Sequence, residues 1–288
     1  MKHVLTAAHC VAVVSDIGGP PDRCKKKGRR DIEFLAPPEL WYVSVDSRCV
    51  HPQRCPTRWL KAKAVVVNKD FDACTVKNDL AIIELEEDIS SAMGEPICMP
   101  TKGMRMPWKL KAAGSGVVGP AKHSLKNLYQ NGRQVIDVYF IKNTKKEMVI
   151  SSPPGVGICA GDEGGPLFYE GPANISTLIG ITAVGNTCQG NYKRKLSGAK
   201  NWTMCDFKKD RIGNYVADVR GNLEWICEQS GVCPIAYEEG DELFEDVCDR
   251  PAPSTNHTME SMQFISCCPQ LEKILIPIGI ALLALHFQ

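Results

Sequence analysis

Short runs in which apolar and polar residues alternate, or in which β-branched residues cluster, recur along the chain and predict strands. They lie at residues 41–45, 62–67, 80–85, 135–140, 177–185 and 213–219. Residues 222–227 are typical of the start of a short helix whose cap is Asn222. With 288 residues and a 44% hydrophobic composition, the chain can bury a sizeable core. The pattern therefore predicts an all-β protein of one large or two smaller domains.

Between these runs the composition predicts loops and a tail. Residues 17–40 are rich in Gly, Pro, Lys and Arg, and residues 189–211 are polar and basic, so both favour exposed loops. Residues 232–273 are first acidic and then rich in Pro, Ser and Thr, which indicates a solvated, disordered linker.

The last segment, residues 274–288, is an apolar tail. Its apolar stretch begins at Ile274 and ends at Phe287, which is short of the roughly 20 residues that a spanning helix needs. Three interpretations remain open: a signal for GPI attachment, a marginal membrane anchor, or a tail without such a function.

The formal net charge of +1 provides no overall field that would attract nucleic acid or lipid, and we predict no nucleic-acid partner and no cofactor. Fourteen cysteines are scattered without a repeated CxxC spacing, which favours disulfides in an oxidising compartment over a zinc site. Sequons at Asn174, Asn201 and Asn256 also favour the secretory route. The N-terminus nevertheless lacks the apolar core of a signal peptide, so either the protein does not enter that route or its true start is missing.

Three motifs carry candidate chemistry. Residues 4–10 read VLTAAHC and contain His9, residues 77–85 read KNDLAIIEL and contain Asp79, and residues 159–167 read CAGDEGGPL and contain Glu163. They resemble the catalytic-histidine motif, the catalytic-aspartate motif and the active-site loop of trypsin-like serine proteases. In that family the loop reads Gly-Asp-Ser-Gly-Gly-Pro, and Glu163 stands where the family has its nucleophilic serine.

The resemblance implies two antiparallel β-barrels with the catalytic cleft between them, followed by a short C-terminal helix. Residues 1–105 would be the remainder of the first barrel, and residues 106–231 the second barrel. In the family, strands precede the histidine motif and one of them carries the disulfide partner of Cys10. Because those strands are missing from this sequence, we expect an N-terminally truncated chain with an incomplete first barrel.

The resemblance also assigns roles within the cleft. His9 would be the general base, Asp79 the carboxylate that orients it, and the N–H groups of Gly161 and Glu163 the oxyanion donors. The family's counterpart of Asp162 pairs with an N-terminal amine that activation cleavage releases, and this chain has no such terminus.

The specificity pocket would involve Gly157 and Gly185, and a disulfide between Cys159 and Cys188 would close it. Gly157 stands where trypsins carry an aspartate, so no preference for Lys or Arg is implied.

A glutamate cannot replace the serine, because His9 can neutralise a carboxylate as an ion pair but cannot activate it by removing a proton. We therefore hypothesise an ion pair between His9 and Glu163, with a metal site formed by these two residues and Asp79 as the alternative. The sequence predicts a secreted or surface-attached, catalytically inactive protease homologue that acts as a binding or regulatory module, with a protein or peptide as the ligand of its residual cleft. Two other interpretations are an active serine endopeptidase, if Glu163 is a sequence artefact, and an incomplete product that does not fold alone.

Overall fold

A computed structural model describes eleven stretches of the chain: residues 2–14, 32–45, 58–94, 96–101, 103–116, 134–143, 147–152, 157–159, 161–171, 175–185 and 214–233. Several predicted features lie outside these residues and stay predictions. They are the sequons at Asn174, Asn201 and Asn256, the half-cystine Cys188, and the linker and apolar tail that follow residue 233.

The described residues are mostly strands. The strands are β1 His3–Thr6, β2 Ala12–Val14, β3 Ile32–Leu35, β4 Tyr42–Val45, β5 Arg58–Val67, β6 Ala81–Leu85, β7 Lys109–Gly114, β8 Gln134–Asn143, β9 Glu147–Ser151, β10 Pro166–Glu170, β11 Ser176–Val184 and β12 Asn214–Asp218. One turn of helix, α1 (Ala8–Val11), follows β1, and a longer helix, α2 (Leu223–Ser230), follows β12. Within the described residues, no helix is long and apolar enough to cross a membrane.

The strands form one closed barrel and two open sheets. β7 to β12 close into a six-stranded antiparallel barrel in the order β10-β11-β12-β9-β8-β7. β1, β6, β5 and β4 form a four-stranded antiparallel sheet, and β2 pairs with β3. The prediction of an all-β fold with one complete barrel, one incomplete barrel and a short C-terminal helix is confirmed.

The alternation of apolar residues explains where the cores lie, because successive side chains of a strand point to opposite faces. In β4, Val43 and Val45 point to the core and are buried, whereas Tyr42 points to the other face and is exposed. The barrel interior is filled mainly by aliphatic side chains: Leu110, Val138, Met148, Ile150, Leu167, Ile179 and Val216.

A separate cluster, the central cluster, contains residues of the open sheet, the barrel and α2. Its buried members are Ala7, Leu80, Ile82, Leu178, Ile181, Ala217, Val219, Leu223 and Ile226. This cluster is the apolar contact that holds the end of β1 and the start of β6 against β11, and it thereby positions the site described below.

One prediction about local structure is wrong, and another is confirmed only in position. Residues 17–40 are not all loop, because Ile32–Leu35 pairs with β2 as strand β3. Asn222 is the N-cap residue of α2, as predicted, but its side chain makes no capping hydrogen bond. Its Oδ1 instead accepts a hydrogen bond from Nδ2 of Asn68 at 3.0 Å, and its own Nδ2 donates to the carbonyl of Asp218 at 2.8 Å. A buried amide from a distant loop thus outcompetes the local cap.

Candidate active site

The pairing of β1 with β6 brings His9 and Asp79 together. Thr6, at the end of β1, lies opposite Ala81, at the start of β6, so α1 and the residues before β6 meet at the same edge. Nδ1 of His9 lies 2.5 Å from Oδ2 of Asp79, and the backbone N–H of His9 donates to Oδ1 of Asp79 at 2.9 Å. Both carboxylate oxygens therefore hold the histidine, one through its ring and one through its main chain.

The electrostatic environment of this pair favours the charged imidazole. The side chain of Asp79 is 0% exposed and that of His9 is 6% exposed. Burial lowers the pKa of His9, but the charge and hydrogen bond of Asp79, together with the charge of Glu163, outweigh burial and raise the pKa above its ordinary value. A carboxylate on Nδ1 leaves Nε2 as the ring atom available to accept a proton.

The loop before β6 positions Asp79 at the cost of backbone strain. Val76 and Asn78 have φ angles of 59° and 51°, in the left-handed region that β-branched residues rarely adopt. The side chain of Asp72 accepts hydrogen bonds from the N–H groups of Cys74 and Thr75, which closes the turn. Asn78 then donates through Nδ2 to the carbonyl of Asp70 at 3.0 Å, which fixes the backbone immediately before Asp79.

Glu163 lies in the turn between the described segment 157–159 and β10, and it is 5% exposed. Its Oε2 accepts a hydrogen bond from the backbone N–H of Gly161 at 2.7 Å. Burial raises the pKa of Glu163; the N–H groups of Glu163 and Gly161 and the charge of His9 lower it, and the charge of Asp162 raises it again. Burial prevails, so the pKa of this carboxyl is above its ordinary value.

The hypothesised ion pair between His9 and Glu163 is not the arrangement found. His9 is paired with Asp79, and the Glu163 carboxylate is bound to Gly161, so Glu163 acts on His9 through charge at longer range. The physical reason is that a nearby backbone donor is already aimed at the carboxylate. No group of three His, Cys, Asp or Glu side chains among the described residues is arranged to hold a metal ion.

Asp162 fixes the same turn from the other side. Its Oδ1 accepts the N–H of Gly116 at 2.6 Å, and its Oδ2 accepts the N–H of Cys159 at 2.9 Å. Burial raises the pKa of Asp162 more than these two donors lower it. A Cβ on Gly114 would lie 2.0 Å from Oδ1 of Asp162, so the carboxylate occupies space that only a glycine leaves free. Sequence reasoning missed this contact, although the Gly-Ser-Gly sequence at 114–116 was a signal for it.

Gly164 brings the turn into contact with both the barrel and the four-stranded sheet. Its φ of +80° is left-handed, and its N–H donates to the carbonyl of Thr182 in β11 at 2.8 Å. A Cβ at this position would lie 2.6 Å from Oγ1 of Thr6 and 3.0 Å from Sγ of Cys10. The backbone of the turn therefore touches β1 and α1 directly, which is how Glu163 comes within reach of the charge on His9.

The residues predicted to form the pocket are close to each other. A Cβ on Gly185 would lie 2.9 Å from the carbonyl oxygen of Ile158, which follows the half-buried Gly157. Cys159 is disulfide-bonded, but Cys188 lies outside the described residues, so their pairing stays a prediction.

Two other cysteines add to the disulfide prediction. Cys10 is disulfide-bonded, so the expectation that its partner is missing from this chain is wrong. Cys227, in α2, is bonded to Cys233, a pairing that the sequence left open.

Comparison with known proteins identifies one matching family model and several similar proteins. The family model for trypsin matches residues 42–203, a segment that includes Asp79 and Glu163 and begins after His9. The chain is 27% identical over 211 residues to human atrial natriuretic peptide-converting enzyme, covering 65% of this chain and 17% of that protein. It is 25% identical to human mannan-binding lectin serine protease 1, covering 80% of this chain and 30% of that protein. It is 26% identical to bovine chymotrypsin-C, covering 67% of this chain and 68% of that protein. The chain thus spans less than a third of the length of the first two relatives.

Proposed function

The chain belongs to the trypsin family, and from that premise we propose that it is a member without peptidase activity that acts as an extracellular binding or regulatory module. The observation that carries this proposal is the side chain of Glu163. It stands where the family's motif has the nucleophilic serine, and its carboxylate is hydrogen-bonded to the N–H of Gly161.

Peptide hydrolysis in this family needs a hydroxyl nucleophile, a base that removes its proton, and donors for the oxyanion. The contact between His9 and Asp79 supports a retained base and a retained orienting carboxylate. At residue 163 there is no hydroxyl proton for His9 to remove. An acyl group on the carboxylate of Glu163 would be a mixed anhydride, far more labile than the ester that serine forms.

The charge of Glu163 opposes the chemistry as well. A developing oxyanion would meet a carboxylate that already binds one of its expected donors, Gly161. Serine proteases that lack triad members retain roughly 10³- to 10⁴-fold rate enhancement over water from binding and oxyanion donors. Even that residual rate requires free donors, so we expect activity below it.

A binding function accounts for what the chain retains. The barrel, the central cluster and the paired His9 and Asp79 are all retained, and in the trypsin family the substrate cleft lies between the two barrels. We infer that a protein or peptide is the ligand of this cleft. The bonded cysteines and the predicted sequons support an extracellular location.

An active serine endopeptidase is the alternative, and the retained pair of His9 and Asp79 is the observation that favours it. The names of the relatives, which include a converting enzyme and a serine protease, point in the same direction. This alternative requires a serine at position 163, so it depends on that residue alone.

A fluorophosphonate probe separates the two functions. Oxidised, full-length protein should show no covalent labelling, whereas Glu163→Ser should be labelled in a reaction that His9→Ala abolishes. Glu228→Ser, which introduces the same hydroxyl on the exposed face of α2, is the matched control and should stay unlabelled. Labelling of the unaltered protein within residues 159–167 would overturn the proposal. Selection of binders from a random peptide library should in turn yield peptides that the protein holds without shortening them.

A further inference from the structure

We propose that the backbone N–H groups of Gly161 and Glu163 form an anion site whose resident ligand is the side chain of Glu163 itself. The carboxylate closes this site to the carbonyl or carboxylate group of any other molecule. The inference rests on the proposed function, in which the cleft binds a peptide without cutting it. It concerns a separate property, namely whether the N–H donors are free or occupied.

The geometry of the turn makes the contact favourable. Gly161 has a φ of +96°, a left-handed conformation that glycine adopts at low cost, and its N–H reaches Oε2 of Glu163 at 2.7 Å. The backbone N–H of Glu163 belongs to the same turn and helps to lower the pKa of this carboxyl. Because residue 163 is 5% exposed, little water competes for these donors, and hydrogen bonds to a charged acceptor are stronger in such surroundings.

The neighbouring charged groups leave these donors to Glu163. His9 lies close enough for its charge to favour the anion, and Asp162 is the carboxylate that opposes it. Asp162, however, directs its two oxygens to the N–H groups of Gly116 and Cys159, on the other side of the turn. It therefore repels Glu163 through charge without competing for the N–H of Gly161.

The substitution by glutamate differs from a simple loss of the serine, because it affects the oxyanion donors as well as the nucleophile. A serine-to-alanine change in a protease removes the nucleophile but leaves the donors able to hold a substrate carbonyl. Glu163 removes the nucleophile and fills the donor site as well. A peptide in this cleft must then be held by its side chains and by strand contacts, and not by the carbonyl that a protease would attack.

Acetate is a suitable probe of whether the site is filled. In Glu163→Ala the donors are free, and acetate should produce a saturable shift of the Gly161 amide resonance. We expect binding at least about tenfold tighter than in the unaltered protein, since one charge-assisted hydrogen bond corresponds to roughly a ten- to hundredfold change in affinity. Glu228→Ala, which removes an exposed glutamate of α2, should bind acetate no better than the unaltered protein.

A second variant protects the test against a failure of Glu163→Ala to fold. Glu163→Gln keeps an oxygen in the site, so it should exclude acetate, but the Gly161 amide should lose the titration step of Glu163 and follow only that of its neighbour Asp162. Equal acetate binding by Glu163→Ala and the unaltered protein would overturn the inference, as would a Gly161 amide that is indifferent to Glu163→Gln. Fluorophosphonate labelling of the unaltered protein would instead count against the proposed function, so the two can fail separately.

Discussion

At the scale of single residues, three partly or fully buried acid–base groups bind protons more tightly in the folded state than in the unfolded state. The pKa of His9 is raised because the attraction of Asp79 and Glu163 exceeds the cost of burial. The pKa values of Glu163 and Asp162 are raised because burial exceeds the help of their N–H donors. In each case the folded state holds more protons, so the free energy of unfolding should fall as the pH rises through these titrations.

The replacement Glu163→Gln should stabilise the protein at neutral pH. Below the ordinary carboxyl pKa of 4.5, residue 163 is protonated in both states and carries no penalty. As the pH rises through its higher folded value, the unaltered protein must ionise a buried group, which glutamine avoids. We expect the variant to be more stable by on the order of 1 kcal/mol at pH 7, with a difference that shrinks toward pH 4.

Urea unfolding at several pH values measures this difference, with the exposed Glu228→Gln as the control that should show none. A variant that is less stable than the unaltered protein at pH 7 would mean that the hydrogen bond to Gly161 outweighs the cost of burial.

The replacement Asp79→Asn should lower the pKa of His9 from above its ordinary 6.5 to below it, because burial then acts without the carboxylate that opposes it. By linkage, the stability that His9 contributes is present below pH 6.5 and is lost as the pH rises through its folded pKa, and the variant should lack this loss. NMR titration of the His9 ring protons reports the pKa directly. An unchanged value would assign the shift to Glu163 instead of Asp79.

The sequence was sufficient to identify these residues but not their contacts. The resemblance to the trypsin-family motifs predicted that His9 and Asp79 belong together, and the pairing of β1 with β6 brings them to the same edge. It also suggested an ion pair for Glu163, and the side chain turns to Gly161 instead. Which partner the Glu163 carboxylate binds depends on the left-handed conformation of Gly161, two residues before it. The pattern of apolar residues in a sequence carries no information about such a local contact.

At the scale of elements, the turn 161–165 is in close contact with strands of both the barrel and the four-stranded sheet. Gly164 bonds to β11 through its N–H, and its Cα faces Thr6 at the end of β1. Gly165 is equally confined, because a Cβ there would lie 2.4 Å from the carbonyl oxygen of Ala113 in β7. Three strands from two sheets thus meet at two adjacent glycines.

The replacement Gly164→Ala should therefore be strongly destabilising. Its Cβ would add about 1–2 kcal/mol for the left-handed backbone and about 1–3 kcal/mol for the contacts with Thr6 and Cys10. Gly221→Ala is the matched control, since a Cβ at that exposed position meets nothing within 4 Å. Urea unfolding of the two variants gives the comparison, and equal midpoints would show that the turn can move away from β1.

At the scale of the whole molecule, the central cluster makes the open sheet and the barrel dependent on each other. Leu80 and Ile82 belong to the sheet side, whereas Ile181 and Ala217 belong to the barrel, and all four are buried together. We infer that neither part unfolds alone, because separation would expose the shared apolar surface to water.

The replacement Leu80→Ala tests this dependence. Removing a fully buried leucine typically costs about 2–5 kcal/mol. Hydrogen exchange followed by mass spectrometry should show the same loss of protection in β6 and in β11, although residue 80 is part of neither the barrel nor its interior. Val135→Ala, on the exposed face of β8, should leave both strands protected. Loss confined to β6 would mean that the sheet and the barrel unfold independently.

Local sequence pattern identified some strands of the fold and missed others. Residues 80–85 and 213–219 were identified as strands because β-branched and apolar residues dominate them, and β6 and β12 lie there. Strand β7, Lys109–Gly114, was not identified because lysines and small residues carry little apolar signal. Its Leu110 and Ala112 are buried only because the barrel closes around them, which is a tertiary fact.

The left-handed Val76 beside the site has a consequence for how this loop can change. Valine and glycine codons differ by a single base, so relief of the strained φ of 59° is one mutation away. That change would also remove a side chain that is 6% exposed, and burial of a valine stabilises by roughly 1.5–3 kcal/mol against about 1–3 kcal/mol for strain. The two effects nearly cancel. Residue 76, in the loop that positions Asp79, can therefore change between valine and glycine during evolution while the fold keeps almost the same stability.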